Sequence, residues 1–274
     1  KYILIYLKAL MNKPFFSIIT CTLNSDQYIN KNIQSVRSQS FKNYEHIIID
    51  GYSKDLTMNI INRYRFADNQ KVIVKKQKPK GVTAAFNKGI GVSKGKYVIH
   101  LNSDDYLYDN NVLNDVYIYL KKNTHLDWIF GKVVVRTKKG VKIGTIPHFN
   151  FMGKYGKFIL RMINVVPHQS VFIKKEIFNK FGLFDRNIKY LPDYEYWLRI
   201  CNKTKWEFLD RVIAVFIARH NSVSMSERNM VKNKIETIKY HTKYCSSFES
   251  ILFQIINYNL IIKTIRKLRN NFVL

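Results

Sequence analysis

Two adjacent carboxylates, Asp104 and Asp105, follow a short apolar run at residues 97–101. The run has the composition of a buried strand, and Asn102 begins a polar turn where that strand would end. Two carboxylates at a strand end offer hard oxygen ligands, which suit Mg²⁺ or Mn²⁺ when the cation also holds a diphosphate. Such a cation offsets the negative charge that builds on a leaving diphosphate. The alternative is a solvated turn, or an N-cap for the following helix.

Two further polar clusters stand at predicted strand ends, at residues 22–24 and 50–53. The first half of the chain alternates apolar runs with helix-like segments, which is typical of βαβ units and a mostly parallel sheet. Because ligands of open α/β sheets bind outside the carboxyl ends of the strands, the three clusters predict one binding site. The predicted strands are 15–23, 44–50, 71–75 and 97–101, and the predicted helices are 27–39, a segment carrying Met58, Ile61 and Tyr64, and 81–92.

The pattern changes after a predicted helix at residues 112–120. A hairpin is expected from two strand-like runs, 128–136 and 141–146, because Gly140 lies in the turn between them. Residues 147–167 are rich in glycine, lysine and aromatic side chains and are predicted to form a mobile loop. The remaining strands are predicted at 170–173, 206–209 and 212–217, and the remaining helices at 175–181, from Pro192, from 227 and at 248–274.

Length and composition predict one large α/β domain, or a domain with a C-terminal appendage, in this chain of 274 residues. The 46% share of hydrophobic residues is enough for a packed core. No apolar run approaches the ~20 residues that span a bilayer. The apolar and basic stretch 1–10 lacks a small-residue cleavage site, so a signal peptide is not expected. Cys21, Cys201 and Cys245 form neither a disulfide framework nor a zinc pattern, which fits a reducing cytosol, with Cys21 and Cys201 in the core.

Charge is the strongest signal in the composition, since 46 Lys and Arg residues against 19 Asp and Glu residues leave a net charge of +27. A surplus of this size favours polyanionic partners: nucleic acid, an anionic membrane or phosphorylated substrates. The alternative is mutational bias, because the sequence is also rich in Asn and Ile, as proteins of AT-biased genomes tend to be. No zinc pattern, RNA-recognition motif or helix-turn-helix accompanies the charge, so a nucleic-acid partner is not expected.

Five blocks of the sequence resemble the family-2 inverting glycosyltransferases, which have the GT-A fold. The blocks are SIITCTLN (17–24), SVRSQSFKNYEHIIIDGYSKDLT (35–57), GVTAAFNKGIGVSKGKYVIHLNSDD (81–105), PHQSVFIKKEIFNKFGLFD (167–185) and LPDYEYWLRI (191–200). The resemblance rests on their order and spacing. It implies an α/β fold with a Rossmann-like, nucleotide-binding mixed sheet flanked by helices. The expected boundaries are 14–222 for the GT-A domain, divided into a nucleotide-binding half (14–105) and an acceptor-side half (106–222), and 223–274 for a helical C-terminal extension.

The resemblance implies a donor site in the nucleotide-binding half. Thr20 and Asp50 would contact the nucleotide base. Gly51 replaces the second acid that the family often has after Asp50, which leaves uridine versus another nucleoside open. Asp105 would ligate Mn²⁺ or Mg²⁺ and Asp104 would lie near the ribose. The remaining donor-side candidates are Asn102 at the family's first acidic position, Asn24 and Ser53 in the other two polar clusters, and Asn87 and Lys88 near the ribose or the phosphates.

The resemblance places the catalytic base at the start of a helix in the second half. Inverting transfer needs a carboxylate that takes the proton of the acceptor hydroxyl as its oxygen attacks the anomeric carbon. Asp193 matches that position; it is also a candidate N-cap, and one residue can serve both roles. Glu195 is the fallback base, on a different face of the helix. His168 and Gln169 are expected to line the acceptor site.

Two segments near the C-terminus complete the interpretation. Arg219 and His220 match the family's flexible segment that closes over the donor and its diphosphate, although the usual glycines are missing. Residues 248–274 combine apolar side chains with Lys263, Arg266, Lys267 and Arg269. A basic amphipathic helix of this kind is expected to contact an anionic membrane. The alternatives are packing on the domain and a homodimer contact.

The leading hypothesis is a cytoplasmic enzyme, peripheral at the inner face of the cytoplasmic membrane. It would be an inverting transferase that moves a hexose from a nucleoside-diphosphate sugar, expected to be UDP-linked, to a hydroxyl of a glycan or lipid-linked saccharide. Two alternatives stay open: a basic nucleic-acid-binding protein, and a nucleotide-sugar-binding protein without catalysis. The carboxylates Asp104, Asp105 and Asp193 argue against the second alternative.

Overall fold

A nine-stranded mixed sheet flanked by helices organises the part of the chain that this computed structural model describes, residues 13–67, 72–147, 155–188, 191–218 and 227–255. The strands are β1 (Phe16–Thr22), β2 (Tyr44–Asp50), β3 (Val72–Lys76), β4 (Tyr97–His100), β5 (Tyr106–Leu107), β6 (Trp128–Thr137), β7 (Lys142–Ile146), β8 (Val171–Lys174) and β9 (Trp206–Ala218). The helices are α1 (Asp26–Arg37), α2 (Thr57–Ala67), α3 (Val82–Val92), α4 (Val112–Lys122), α5 (Gly156–Met162), α6 (Lys175–Phe181), α7 (Pro192–Ile200), α8 (Glu227–Tyr244) and α9 (247–255). A single 3₁₀ turn, His168–Ser170, precedes β8.

The sheet has a parallel half and an antiparallel half. Its strand order is β3-β2-β1-β4-β8-β6-β9-β5, with β7 paired to β6. The first four strands in this order run parallel, so the carboxyl ends of β1, β2 and β4 meet at one edge. β8 then runs antiparallel to both β4 and β6. The expected parallel first half and the 128–146 hairpin are confirmed, with bounds that differ by one or two residues.

The core lies on both faces of the sheet because side chains alternate along each strand. On β1, Phe16 and Ile18 belong to a cluster on one face that includes Tyr97 and Ile99 of β4. Ile19 points to the opposite face and joins a larger, aromatic-rich cluster that includes Trp197 and most of α7. Both faces of β1, β2 and β4 are therefore buried, which explains why these strands read as nearly continuous apolar runs.

The structure differs from the sequence-based expectation at three elements. The two predicted strands near 206–217 are one strand, β9, because register shifts around Lys132 let β9 stay paired with β6 along its length. β5 has only two residues and is defined by antiparallel pairing with β9, so local pattern could not reveal it. Helix α5 lies within the predicted loop 147–167, where burial of Leu160 and Met162 stabilises seven residues that have weak helical periodicity.

The C-terminal helices pack against α7 in the described part of the chain. Tyr240, His241 and Phe253 are buried in this packing. Among the described residues, no helix combines the length and the apolar character that crossing a bilayer would require.

A close backbone contact fixes the connection between α3 and β4. The Gly95 N–H donates to Ser17 Oγ at 2.8 Å and to Glu45 Oε1 at 3.1 Å, and Ser17 Oγ donates to the same Glu45 oxygen at 2.6 Å. Glu45 is buried, so these donors offset the cost of removing its charge from water. A Cβ atom on Gly95 would lie 2.6 Å from Ser17 N and 2.7 Å from Phe16 C, which leaves no space for a side chain.

We expect Gly95→Ala to lower the free energy of unfolding by about 1–3 kcal/mol, because the methyl group would force backbone to move in a packed strand. Gly91→Ala is the matched control, since nothing lies within 4 Å of a Cβ at that helical position. It should be neutral or stabilising by up to about 1 kcal/mol. Urea unfolding followed by circular dichroism measures both; equal stability of the two variants would contradict the packing described here.

Candidate active site

The acidic turn lies between β4 and β5, at the edge where the parallel strands end. The Leu101 N–H extends β4 by donating to Ile19 O at 2.9 Å, and the Asp105 N–H closes the turn on Asn102 O at 3.0 Å. From beneath, the buried Asn32 of α1 donates from Nδ2 to the carbonyl oxygens of both Asn102 and Asp105, each at 2.9 Å. Sequence reasoning missed Asn32; the available signal was an amide on the apolar face of α1, beside Ile29 and Ile33.

Asp105 is fully buried, and neither of its carboxylate oxygens makes a hydrogen bond of standard geometry within the described residues. Burial and repulsion by the adjacent Asp104 raise the pKa of Asp105 above its ordinary value. The nearby His168, the Gln169 side chain and the Ile217 N–H oppose that shift only in part. A carboxylate in such surroundings is stabilised in its ionised form by a cation placed against it.

The carboxylate oxygens at this turn fit a divalent cation that is also bound by oxygen atoms of a substrate. The described residues include no group of three or more His, Cys, Asp or Glu side chains arranged to hold a metal ion. Mg²⁺ is commonly bound by one or two carboxylates together with substrate phosphates. The two buried carboxylate oxygens of Asp105 and the neighbouring carboxylate of Asp104 supply that smaller set.

His168 connects the acidic turn to the start of α7. Its Nε2 lies 3.1 Å from Asn102 Nδ2, and its Nδ1 lies 3.4 Å from Asp193 Oδ2. Burial by itself lowers the pKa of His168, but hydrogen bonding to Asp193 and the negative charges of Asp193, Asp105 and Asp104 outweigh it and raise the pKa. The imidazole is thus placed to share a proton with Asp193 and to offset charge in an acidic cluster.

Asp193 is the second residue of α7 and not its N-cap. Leu191 precedes the helix with a left-handed φ of 51°, and Pro192 is the first helical residue. Asp193 Oδ1 accepts a hydrogen bond from the Tyr194 N–H at 2.9 Å, and Oδ2 is the oxygen that faces His168. A first-turn carboxylate interacts favourably with the unsatisfied N–H groups of the helix. The helix backbone therefore holds Oδ1, and Oδ2 is directed to His168.

The loops after β1 and β2 are tied to each other by the other two polar clusters. Ser53 Oγ donates to Asp50 Oδ1 at 2.6 Å, and the Asn24 N–H donates to Ser53 Oγ at 2.9 Å. Asn24 has a left-handed φ of 49°, and its Oδ1 accepts from the Lys54 N–H at 2.9 Å. Asp50 is fully buried and also accepts from the Tyr52 N–H, so its carboxylate stabilises the loop after β2 and, through Ser53, the loop after β1.

A cavity of about 250 Å³ opens beside these loops, between the ends of β1 and β2 and the start of α3. Thr22 Oγ1 is buried there without a hydrogen-bond partner among the described residues. A wider cleft of about 670 Å³ lies at the opposite edge of the sheet, around Lys94 and Lys175, and contains none of the predicted site residues. The smaller cavity is lined by Cys21, Thr22, Leu23, Ile49, Gly51, Gln77, Lys78, Pro79, Lys80, Gly81, Val82 and Ala85.

Two expected donor-side residues have structural partners instead of open surface. Thr20 is fully buried, two residues before the end of β1; its Oγ1 donates to Asn32 Oδ1 at 3.2 Å and lies 2.9 Å from His46 Nε2. Asn87 uses its whole amide on the backbone of Phe184, donating at 2.8 Å and accepting at 3.1 Å. Thr20 thus supports Asn32, and Asn87 ties α3 to the segment after α6. Strand-end position alone could not show which way these side chains point.

The other candidates divide between the site and its surroundings. Gln169 is buried beside Asp105 and His168. Lys88 donates from Nζ to Lys76 O at 2.7 Å. The fallback base Glu195 is buried in an ion pair with Arg199 at 2.5 Å, which removes it from the acceptor side. Arg219 and His220 lie outside the described residues.

Comparison with known proteins agrees with this arrangement of elements. The model of glycosyl transferase family 2 matches residues 17–182, more than half of the chain. A PGL/p-HBAD biosynthesis glycosyltransferase of Mycobacterium bovis is 25% identical over 211 residues, which cover 77% of this chain and 78% of the relative. An uncharacterized glycosyltransferase of Methanocaldococcus jannaschii is 24% identical over 271 residues, covering 96% and 92%.

Solved structures share the fold. S. aureus TarS 1–349 in complex with UDP-GlcNAc superposes with a TM-score of 0.63 at 20% identity, covering 82% of this chain and 66% of that one. The mannosyltransferase PcManGT of Pyrobaculum calidifontis, in complex with GDP-Man and Mn²⁺, gives a TM-score of 0.61 at 14% identity, covering 88% and 70%. The chain belongs to glycosyl transferase family 2, has the GT-A fold and is a glycosyltransferase.

Proposed function

We propose that this glycosyltransferase moves a hexose from a UDP-linked donor to a hydroxyl of a glycan or lipid-linked saccharide, with inversion at the anomeric carbon. The observation that supports this most directly is the chain of contacts from Asn102 through His168 to Asp193. It joins the turn that suits a diphosphate-bound cation to a carboxylate that suits proton transfer. A protein that bound nucleotide sugars without catalysis would have no need for the Asp193 carboxylate beside the acidic turn.

The donor occupies the carboxyl edge of β1, β2 and β4 in this proposal. The nucleotide base of the donor enters the cavity beside Thr22 and Gln77, while Lys78 and Lys80 at the rim of the cavity attract the phosphates. Asn24, Asp50 and Ser53 shape the loop that borders this cavity. The choice of UDP is supported by the TarS complex with UDP-GlcNAc, whereas the PcManGT complex contains GDP-Man. A nucleotide screen therefore has to decide between the two nucleosides.

Asp193 acts as the general base. Its Oδ2 takes the proton of the acceptor hydroxyl while that oxygen bonds to the anomeric carbon from the face opposite the diphosphate. The bond from the anomeric carbon to the diphosphate oxygen breaks in the same step, so the configuration inverts. His168 keeps Oδ2 directed toward the site and offsets the charges around it. Gln169, beside it, is proposed to line the acceptor side.

Asp105, with Asp104 next to it, would hold Mn²⁺ or Mg²⁺. Such an ion, when bound with the donor, stabilises the negative charge that develops on the leaving diphosphate. Asp104 is proposed to face the ribose. The raised pKa of Asp105 supports this assignment. Among the described residues, His168 is the one cationic group that stabilises the ionised carboxylate, and a bound metal ion would stabilise it further.

Contact with the inner face of the cytoplasmic membrane belongs to the same proposal. Helix α9 leaves Phe248, Ile251 and Ile255 exposed along one side, and four basic residues follow in the sequence between 263 and 269. An apolar stripe next to basic residues suits an anionic lipid surface, where a lipid-linked acceptor would be presented. A homodimer through the same stripe is the alternative.

Donor and metal are tested together by thermal unfolding with UDP-glucose, UDP-GlcNAc or GDP-mannose, each with Mn²⁺, Mg²⁺ or EDTA. We expect one UDP-sugar to raise Tm in the presence of a divalent cation, and Asp105→Asn to abolish the cation-dependent part. Asp210→Asn is the control, since that half-exposed carboxylate pairs with Lys132 away from the site. A Tm rise that needs no cation, or that persists in Asp105→Asn, would show that the metal assignment is wrong.

The base is tested by Asp193→Asn, which preserves shape and removes the proton acceptor. We expect kcat for sugar transfer or donor hydrolysis to fall by about 10²–10⁴, while donor affinity changes little. Proton NMR of the product should show the anomeric configuration inverted relative to the donor. Near-normal turnover in Asp193→Asn would refute the base, and a retained configuration would refute the inverting mechanism.

A further inference from the structure

Helix α7 is bound on its outer side by residues that come 40 or more positions later in the chain. Tyr194 and Glu195 directly follow Asp193, and both are buried. Tyr194 Oη lies 3.1 Å from His241 Nε2, and Tyr244 Oη donates to Glu195 Oε1 at 2.5 Å. Helix α8 thus contacts the two residues next to the proposed base.

Further contacts fix those helices in turn. Arg161 at the end of α5 forms an ion pair with Glu249 of α9 at 2.5 Å, and Tyr194 Oη donates to the Arg161 carbonyl at 2.9 Å. The His241 ring stacks on Phe253 with centroids 3.6 Å apart. Ser250 Oγ donates to His241 O at 3.0 Å. Helices α5, α7, α8 and α9 are therefore linked to one another by buried and partly buried polar contacts.

The direction of these contacts matters for Asp193. Successive helical residues are rotated by about 100°, so Tyr194 and Glu195 cannot point where Asp193 points. Asp193 faces His168 on the sheet side, whereas its two neighbours face α8. Core packing of Tyr196 and Trp197 holds the opposite side of α7, so the contacts from α8 and this packing together fix how α7 is rotated about its axis. That rotation sets the distance from Asp193 to the acidic turn.

Local structure gives α7 little rigidity of its own. It has nine residues, and the residue before it, Leu191, has a left-handed φ and provides no side-chain cap. A helix this short depends on tertiary contacts for its stability. The polar contacts to Tyr244 and His241 lie within the first turn, the turn that carries Asp193.

We propose that residues 236–255 complete the acceptor side of the active site, with Tyr244 and His241 as positioning residues that orient Asp193 through α7. This rests on the proposed role of Asp193 as the base. The C-terminal helices are then required for turnover and not for binding the donor, which lies at the other side of the acidic turn. Misplacement of a catalytic group by a fraction of an ångström lowers the rate without altering distant binding contacts.

The test compares Tyr244→Phe with Tyr119→Phe in the full chain. Tyr119 is a matched control because its hydroxyl also donates to a glutamate, Glu207 Oε2 at 2.6 Å, but between α4 and β9, away from the site. With the UDP-sugar that raises Tm most, release of UDP to water as acceptor is measured. We expect Tyr244→Phe to lower kcat at least about fivefold, with KM for the donor unchanged. The fraction of protein molecules that bind UDP should equal that of the parent protein. Tyr119→Phe should keep the parent kcat.

Hydrogen exchange supplies a readout that needs no substrate. Peptides covering residues 191–200 should exchange faster in Tyr244→Phe than in Tyr119→Phe, because the first turn of α7 loses an anchor. Unchanged kcat and unchanged exchange in α7 would overturn the inference. A fall in kcat matched by an equal fall in the fraction of chains that bind UDP would also overturn it, since that would be general misfolding.

Asp193→Asn separates the two proposals. If this variant turns over normally, the base assignment fails regardless of Tyr244. If it is impaired and Tyr244→Phe is not, only the positioning role fails. Combining both substitutions is informative, because a positioning residue that acts through Asp193 should have little further effect once the carboxylate is gone.

Discussion

The side-chain amide of Asn32 holds together the parts of the molecule on which the site depends. Its Nδ2 donates to two carbonyl oxygens of the acidic turn, and its Oδ1 accepts from Thr20 of β1. Asn32, Thr20 and Asp105 are buried, so a lost bond among them would leave a desolvated polar group without a partner. One amide on α1 therefore sets where β4 ends and where the carboxylate of Asp105 lies. The pairing of β5 with β9 begins at the residue directly after Asp105 and continues from that fixed point.

The electrostatics of the site are opposite in sign to those of the whole chain. The chain has a net charge of +27, but in the site Asp104, Asp105 and Asp193 lie near the imidazole of His168. Mutual repulsion and burial raise the pKa of Asp105, and the same carboxylates raise the pKa of His168. The two groups are linked, because the positive charge of a protonated His168 lowers the pKa of Asp105 and the negative charge of Asp105 raises the pKa of His168. The basic exterior favours the approach of anionic donors, while the acidic cluster is where the proposed cation and the proposed proton acceptor would act.

Much of the fold could be predicted from the sequence because the parallel strands are buried on both faces and helices with clear periodicity separate them. Positions at strand ends pointed to the acidic turn, and the resemblance is the basis for proposing Asp193 as the base. The orientation of polar side chains could not be predicted in the same way: Thr20 and Asn87 lie in the expected segments but bond to Asn32 and Phe184. Likewise, β5 and α5 owe their structure to partners far away in sequence, as does the contact between Tyr244 and Glu195. Periodicity is a local property and carries no information on such pairs.

The residues of α8 that contact α7 come more than 40 positions after Asp193, so they are synthesised later than the proposed base. Residues 13–218, which include the sheet and the acidic turn, leave the ribosome before residues 236–255 do. Domains fold from the N-terminal side as they emerge. A nascent chain can therefore close its sheet before the helices that contact α7 have been made. On the proposed roles of Asp193 and residues 236–255, competence for transfer is acquired last, and an interrupted chain is expected to bind nucleotide sugar without consuming it.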